Sequence, residues 1–273
     1  MKKIVIIVLI VLSCISESCA NKKMAGTVVS FETNYGKITV RLYPETTRHR
    51  ENFLKLVNSG FYKDVLFHRV IKDFMIQAGD PDSKTAKAEA SLGSGDVGYT
   101  IPAEFIYPKY YHRKGALAAA REGDNVNPQQ ASSGCQFYIV QGKTFTDSQL
   151  DEIDQNNAKK LEAKLFQEIV NTKRDELKKY QGERNQSKLD AFRDSVIAEV
   201  YIQMNAHPAL KLTPLQREEY KTIGGTPHLD GAYTVFGEVI EGLDVVDRIS
   251  KVKTGVNDRP LEDVRVIKAE ILK

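Results

Sequence analysis

The residues of this chain best equipped for chemistry lie in the stretch Phe67-His-Arg-Val-Ile-Lys-Asp-Phe-Met-Ile-Gln-Ala-Gly-Asp80. It reads as two short strand runs broken by a turn at Lys72-Asp73. Successive strand side chains alternate faces, so Arg69, Met75 and Gln77 fall on one side. One fixed cation then sits beside an apolar patch and an amide. That set suits a neutral, amide-bearing ligand better than it suits nucleophilic attack. The plain alternative is an ordinary hairpin with Arg69 as a solvated charge.

Two further segments add to the set. Gly115-Ala-Leu-Ala-Ala-Ala-Arg121 is followed, after a polar loop, by Ser133-Gly-Cys-Gln-Phe-Tyr-Ile-Val140. Gln136 and Tyr138 share parity, so one strand face can present both. The last segment is Gly224-Gly-Thr-Pro-His-Leu-Asp-Gly-Ala-Tyr-Thr-Val-Phe-Gly-Glu-Val239.

In order and residue type, these segments resemble the active-site signatures of the cyclophilin-type peptidyl-prolyl isomerases. In the first of them only Ala78 departs, standing where the family usually has a second glycine. The resemblance implies Arg69 as the catalytic group. It implies Phe74, Met75, Tyr138 and Leu229 as the proline pocket, and Gln77, Gln136 and Ala120 as holders of the peptide backbone. Arg121 takes the family's Asn-or-Arg position, and Tyr233 stands at the polar rim where many members have His. The family more often has Phe at the position of Tyr138, whose phenolic hydroxyl needs a partner when buried. His228 stands where eukaryotic members often have the Trp that contacts cyclosporin, so weak sensitivity to the drug is expected. The implied fold is mainly β with helices: a closed eight-stranded antiparallel β-barrel capped by helices.

The elements that must position these residues are legible as local signals. Thr27–Thr33 and Lys37–Tyr43 read as strands about a turn at Asn34-Tyr35-Gly36. Pro44 opens a helix that carries Phe53, Leu54, Leu56 and Val57 and stops at Gly60. Residues 242–249 read as a short amphipathic helix, and 264–272 as a closing strand. Gly93–Gly98 is glycine-rich but lacks the Lys-Ser/Thr of a phosphate-binding loop.

Residues 144–223 exceed ordinary loop lengths and form an insertion. Apolar residues recur there at helical spacing: Leu150, Ile153, Leu161, Leu165, Ile169 and Val170, then Phe192, Val196, Val200 and Tyr201. Two or three helices are expected, as a hairpin from Leu150 to Met204, with one more turn at Leu215–Tyr220. The insertion is either a solvated excursion or a platform for a client or protein partner, and its apolar stripes favour the second.

The formal net charge of +3 over 273 residues is too small for a nucleic-acid footprint. No Cys/His cluster has metal-ligand spacing, and neither metal nor cofactor is implied. Cys135 reads as a small core hydrophobe. Met1-Lys2-Lys3 and the apolar run Ile4–Leu12 form a signal-peptide pattern too short to span a bilayer. Val11-Leu12-Ser13-Cys14 matches a bacterial lipobox, which favours Cys14 as the acylated residue with Cys19 as the alternative. The expected organisation is a lipoprotein signal and tether at 1–26, barrel parts at 27–143 and 224–273, and the insertion at 144–223. The expected activity is isomerisation of X-Pro bonds in proline-containing polypeptides, by a membrane-anchored lipoprotein of the cell envelope facing the periplasm. The alternative is a cyclophilin-like binding or chaperone module that works through the inserted helices.

Overall fold

Alternating burial builds the first hairpin, from Val28–Thr33 (β1) and Gly36–Leu42 (β2), in a computed structural model that describes residues 26–206 and 211–272. Val29 and Phe31 face inward from β1, and Ile38, Val40 and Leu42 from β2. The chain continues through Thr47–Asn58 (α1), Arg69–Ile71 (β3), Met75–Ala78 (β4) and a two-residue strand at Thr100–Ile101 (β5). Ala116–Ala119 (β6), Ser132–Ser133 (β7) and Phe137–Val140 (β8) follow. Four helices come next, Asp147–Thr172 (α2), Arg174–Gly182 (α3), Gln186–Ala206 (α4) and Pro214–Thr222 (α5). Val235–Glu241 (β9), Leu243–Ile249 (α6) and Val266–Leu272 (β10) complete the order.

Eight strands form one antiparallel sheet in the order β10-β1-β2-β9-β6-β8-β4-β3, while β5 pairs only with β7. The expected closed barrel is corrected here: the sheet is an open half-barrel, with β3 and β10 at its two edges. Asp64 lies at φ 67° and breaks the extended run ahead of β3. The gap is spanned by an isolated bridge, Leu66 to Arg265, and by backbone hydrogen bonds from Asp64 N–H to Val266 O at 2.8 Å, Val266 N–H to Val65 O at 2.9 Å and Phe67 N–H to Val264 O at 2.8 Å. This irregular crossing replaces a continuous ladder.

The concave face holds the main core. Phe53, Leu56 and Val57 of α1 and Val245, Val246 and Ile249 of α6 pack against Phe31, Ile76, Leu117, Phe137, Ile139 and Phe236 of the sheet. Phe53 sits 5.1 Å from Tyr62 and 5.4 Å from Phe137, ring centre to ring centre, within the range that favours edge and tilted contacts. Cys135 is buried beside this core, and burial pushes its thiol up to about 11. Gly79, at φ +102°, has no room for a side chain, since a Cβ would meet Cys135 O at 2.2 Å.

Helix α1 begins at Thr47, three residues later than the proline signal suggested. Its first amides are satisfied from a distance, as Glu104 accepts from Arg48 N–H at 3.1 Å and His49 N–H at 3.0 Å. In the insertion, Leu165 and Ile169 of α2 close on Phe192, Val196 and Val200 of α4, so much of the apolar stripe is buried within the hairpin itself. Tyr201 does not share that burial; it is 68% exposed.

His68 is buried, and both its ring nitrogens lack a partner among the described residues. Burial pulls its pKa from 6.5 down to about 4, so it is neutral in the folded protein. The unfolded chain takes up this proton more readily, so stability is full above about pH 6.5 and is lost as pH falls toward 4. Between about pH 7.5 and about pH 5 the loss from this residue should be about 2 kcal/mol. Urea unfolding across that range checks it. His68→Leu should flatten the slope, and an unchanged slope would refute the assignment.

Candidate active site

The convex face of the same strands builds the site. Strand register places Arg69 of β3 opposite Gln77 of β4, Gln77 opposite Tyr138 of β8, and Tyr138 opposite Ala118 of β6. One row of side chains therefore crosses four strands. The next row, Ile71, Met75 and Val140, supplies apolar surface on the same face. A second hydrophobic cluster forms there from Met75, Ala118, Ala120, Tyr138 and Val140, with Phe74, Leu229 and Tyr233 packed at its edge.

Arg69, Phe74, Met75, Gln77, Ala120, Arg121, Tyr138, Leu229 and Tyr233 line one cavity of about 100 Å³. Gln136 lines the adjoining cavity of about 660 Å³, which shares Gln77, Ala120 and Arg121. His228 lies across Phe74 from the small cavity, its ring stacked on the phenyl at 5.5 Å. The ring of Phe74 thus stands between His228 and the pocket.

The two amides are aligned by fixed contacts. Gln136 Nε2 donates to the carbonyls of Gly93 at 3.0 Å and Gly95 at 2.8 Å, and its Oε1 accepts from Gln77 Nε2 at 3.0 Å. The glycine-rich loop is therefore a support for Gln136.

The two arginines differ sharply. The Arg121 side chain is 4% exposed. It donates to Ala232 O, Glu122 O and Asp124 Oδ1, and lies 4.4 Å over the Tyr233 ring. Arg69 is 42% exposed and donates from Nε to Asp258 Oδ2 at 3.3 Å. Among the described residues, its terminal nitrogens have no hydrogen-bond partner. The chemistry available is one directional cation on a small cavity of mixed lining, with apolar surface from Phe74, Met75 and Leu229 and amides along one side.

The Tyr138 hydroxyl has a partner that sequence reasoning missed. It meets His112 Nε2 at 2.9 Å, and His112 Nδ1 meets Asp230 Oδ1 at 3.0 Å. Tyr220 Oη of α5 donates to Asp230 Oδ2 at 2.6 Å. Burial holds both phenols protonated, their pKa values raised well above 10. His112 thus bridges the phenol through Nε2 and the carboxylate through Nδ1. The side chains of His112 and Asp230 are each 1% exposed. The phenol of Tyr138 was itself the signal, since a buried hydroxyl calls for an acceptor. Asp258, which sits at φ 59° in an exposed loop, left no comparable trace.

The sequence matches the family described as cyclophilin type peptidyl-prolyl cis-trans isomerase/CLD over residues 28–203 and 216–271. It is 29% identical over 238 residues to a putative peptidyl-prolyl cis-trans isomerase of Staphylococcus haemolyticus, covering 86% of each chain. It is 30% identical over 253 residues to a putative bifunctional phosphatase/peptidyl-prolyl cis-trans isomerase of Streptococcus pyogenes serotype M6. That match takes in 90% of this chain and only 39% of the longer streptococcal protein. The fold is similar to the crystal structure of a cyclophilin type peptidyl-prolyl cis-trans isomerase of Cryptosporidium parvum, with a TM-score of 0.54 and 20% identity. That match covers 91% of this chain and 99% of the other.

The buried network carries its own test. Tyr138→Phe removes the hydrogen-bond partner of His112 Nε2 and leaves a buried nitrogen unsatisfied, which should cost about 1–3 kcal/mol. Urea denaturation at neutral pH measures it. A loss below about 0.5 kcal/mol would mean that the hydroxyl is readily replaced by water.

Proposed function

The chain belongs to the cyclophilin-type peptidyl-prolyl cis-trans isomerases, and we propose that its pocket beside Arg69 rotates X-Pro bonds of extracytoplasmic polypeptides through non-covalent stabilisation of the twisted imide. The observation that carries this reading is Arg69, with its terminal nitrogens unengaged by described residues, on the wall of the small cavity that Phe74, Met75 and Leu229 also line.

X-Pro rotation is slow because amide resonance must be broken on the way to the twisted state. No bond forms or breaks, so catalysis reduces to binding the twisted geometry more tightly than either planar one. The apolar walls of Phe74, Met75, Tyr138 and Leu229 hold the proline ring while the preceding carbonyl swings. Gln77, Gln136 and Ala120 hold the flanking backbone. As resonance is lost, the imide nitrogen becomes more basic. The Arg69 guanidinium, always protonated and fork-shaped, donates to that nitrogen or orients the carbonyl.

Removing one preorganised donor from a comparable electrostatic site costs ~10²–10³ in rate. Arg69→Ala should fall in that range when isomerisation of a short Ala-Pro peptide is followed by exchange NMR. Catalysis unchanged by the substitution would overturn the mechanism while leaving the activity.

The proposal extends to location. The basic Lys2-Lys3, the apolar run to Leu12 and the lipobox ending at Cys14 support a lipid-anchored protein of the cell envelope that faces the periplasm. These residues, with Cys19, lie outside the described ones. Among the described residues no helix is long and apolar enough to cross a membrane. Metabolic labelling with a palmitate analogue should mark the wild type and Cys19→Ser but not Cys14→Ser. The reverse pattern would move the anchor to Cys19.

A further inference from the structure

Phe74 has two faces, and only one belongs to the proline pocket. On the other side a groove of about 520 Å³ opens between the sheet and the inserted helix α2. Ile71, Phe74 and His228 line it from the barrel side and Phe145, Ile153 and Asn156 from the insertion, with the charged Asp73, Lys143 and Glu152 also in its lining. Its apolar side chains come from both the sheet and the insertion, so neither part encloses the space alone.

The helical wall is built before any ligand arrives. Thr146 and Gln149 close the first turn of α2 as a capping box. Leu150 is fully buried against Tyr111, Leu212 and Tyr220. Arg217 of α5 reaches back to Asp151 at 2.6 Å and Asp154 at 3.0 Å, pinning the two helices together. Phe145 is fixed by its N–H to Tyr220 O at 3.0 Å and by its ring 6.2 Å from that of Tyr220. A preformed apolar wall needs little ordering when a ligand docks.

We propose that this groove is a second substrate subsite, which takes a large apolar side chain two to four residues from the proline in the same polypeptide. The proposal rests on the isomerase reading of the Arg69 pocket. The occupant follows from continuity: the Phe74 ring is a wall of both cavities. An extended chain advances about 3.3 Å per residue, so two to four residues reach about 7–13 Å. That span carries a peptide past the stacked Phe74–His228 pair. The apolar surface of Ile71, Phe74, Phe145 and Ile153 selects a Leu, Met or aromatic side chain over a charged one. The enzyme would then favour prolines next to hydrophobic segments, as unfolded chains present them. The insertion acts as a reader of the substrate in this arrangement.

The test uses a host peptide with one Ala-Pro bond and a single guest position, two to four residues to either side, occupied by Ala, Phe or Asp. Exchange NMR gives kcat/KM, and amide shifts of residues 149–156 report docking in the same titration. Phe at one guest position should raise kcat/KM about tenfold over Ala, and Asp should give no gain. Asn156→Trp, at an exposed helical position, fills the groove and should return the Phe-to-Ala ratio to near one; Ile153→Asp should do the same. A wild-type ratio near one at every position, or a preference unchanged in both variants, overturns the subsite. Absence of catalysis with all peptides would instead overturn the isomerase reading. The shifts at 149–156 still decide the subsite in that case, since their absence with the Phe peptide rejects it.

Discussion

Strand alternation is the constraint on which the rest of the structure depends. Along β8, Phe137 and Ile139 enter the core while Tyr138 and Val140 face the opposite side. On β4, Ile76 and Ala78 point inward and Met75 and Gln77 outward. A one-residue slip in register would exchange the two sets and destroy core and pocket together. The same packing that fixes the inward rings therefore fixes the outward row from Arg69 to Ala118. Since the sheet is open, α1 and α6 must supply the closure that a complete barrel would provide.

Asp230 ties the convex face to the insertion. Its carboxylate takes the backbone N–H of His112 at 2.8 Å, the His112 ring, and the Tyr220 hydroxyl. Leu229 of the pocket wall is the residue before it, Tyr138 of the pocket is reached through His112, and Tyr220 lies on α5. A buried carboxylate with three hydrogen bonds is held where one with fewer would be costly. The helices after β8 are thus attached through the polar network that also orients a pocket side chain. Tyr220, fully buried, extends the same attachment to Phe145 and the start of α2.

The local features of the sequence were those readable from single residues and short periods. The Arg69–Gln77 alternation, the Gln136–Tyr138 parity and the helical spacing of Leu165, Ile169, Phe192, Val196 and Val200 all reappear in the structure. What alternation could not convey was how the sheet ends. Asp64 takes positive φ just ahead of β3, and no periodic pattern encodes that. The start of α1 was misplaced because its cap comes from Glu104, far along the chain. The partners of Tyr138 were hidden for the same reason, since His112 and Asp230 are separated from it by the fold. Tyr201 had the spacing of a core residue, yet lies just outside the arc of α4 that α2 covers.

Which arginine serves the proposed mechanism follows from what each still has to give. Arg121 is nearly buried, bonded to three acceptors and stacked on Tyr233. Drawing it toward a substrate would break three hydrogen bonds and its stacking on Tyr233 together. Arg69 makes one described contact, at Nε, to a half-exposed Asp258. Exposed pairs of this kind contribute about 0–1 kcal/mol, so a bound imide displaces little to engage the terminal nitrogens. The Nε contact also restrains the plane of the guanidinium, which keeps the fork from turning freely into solvent. Asp258 restrains the cation without consuming it, and Tyr233 with its acceptors consumes the other one. The rigid arginine therefore shapes the rim, and the loosely held one is left for the reaction.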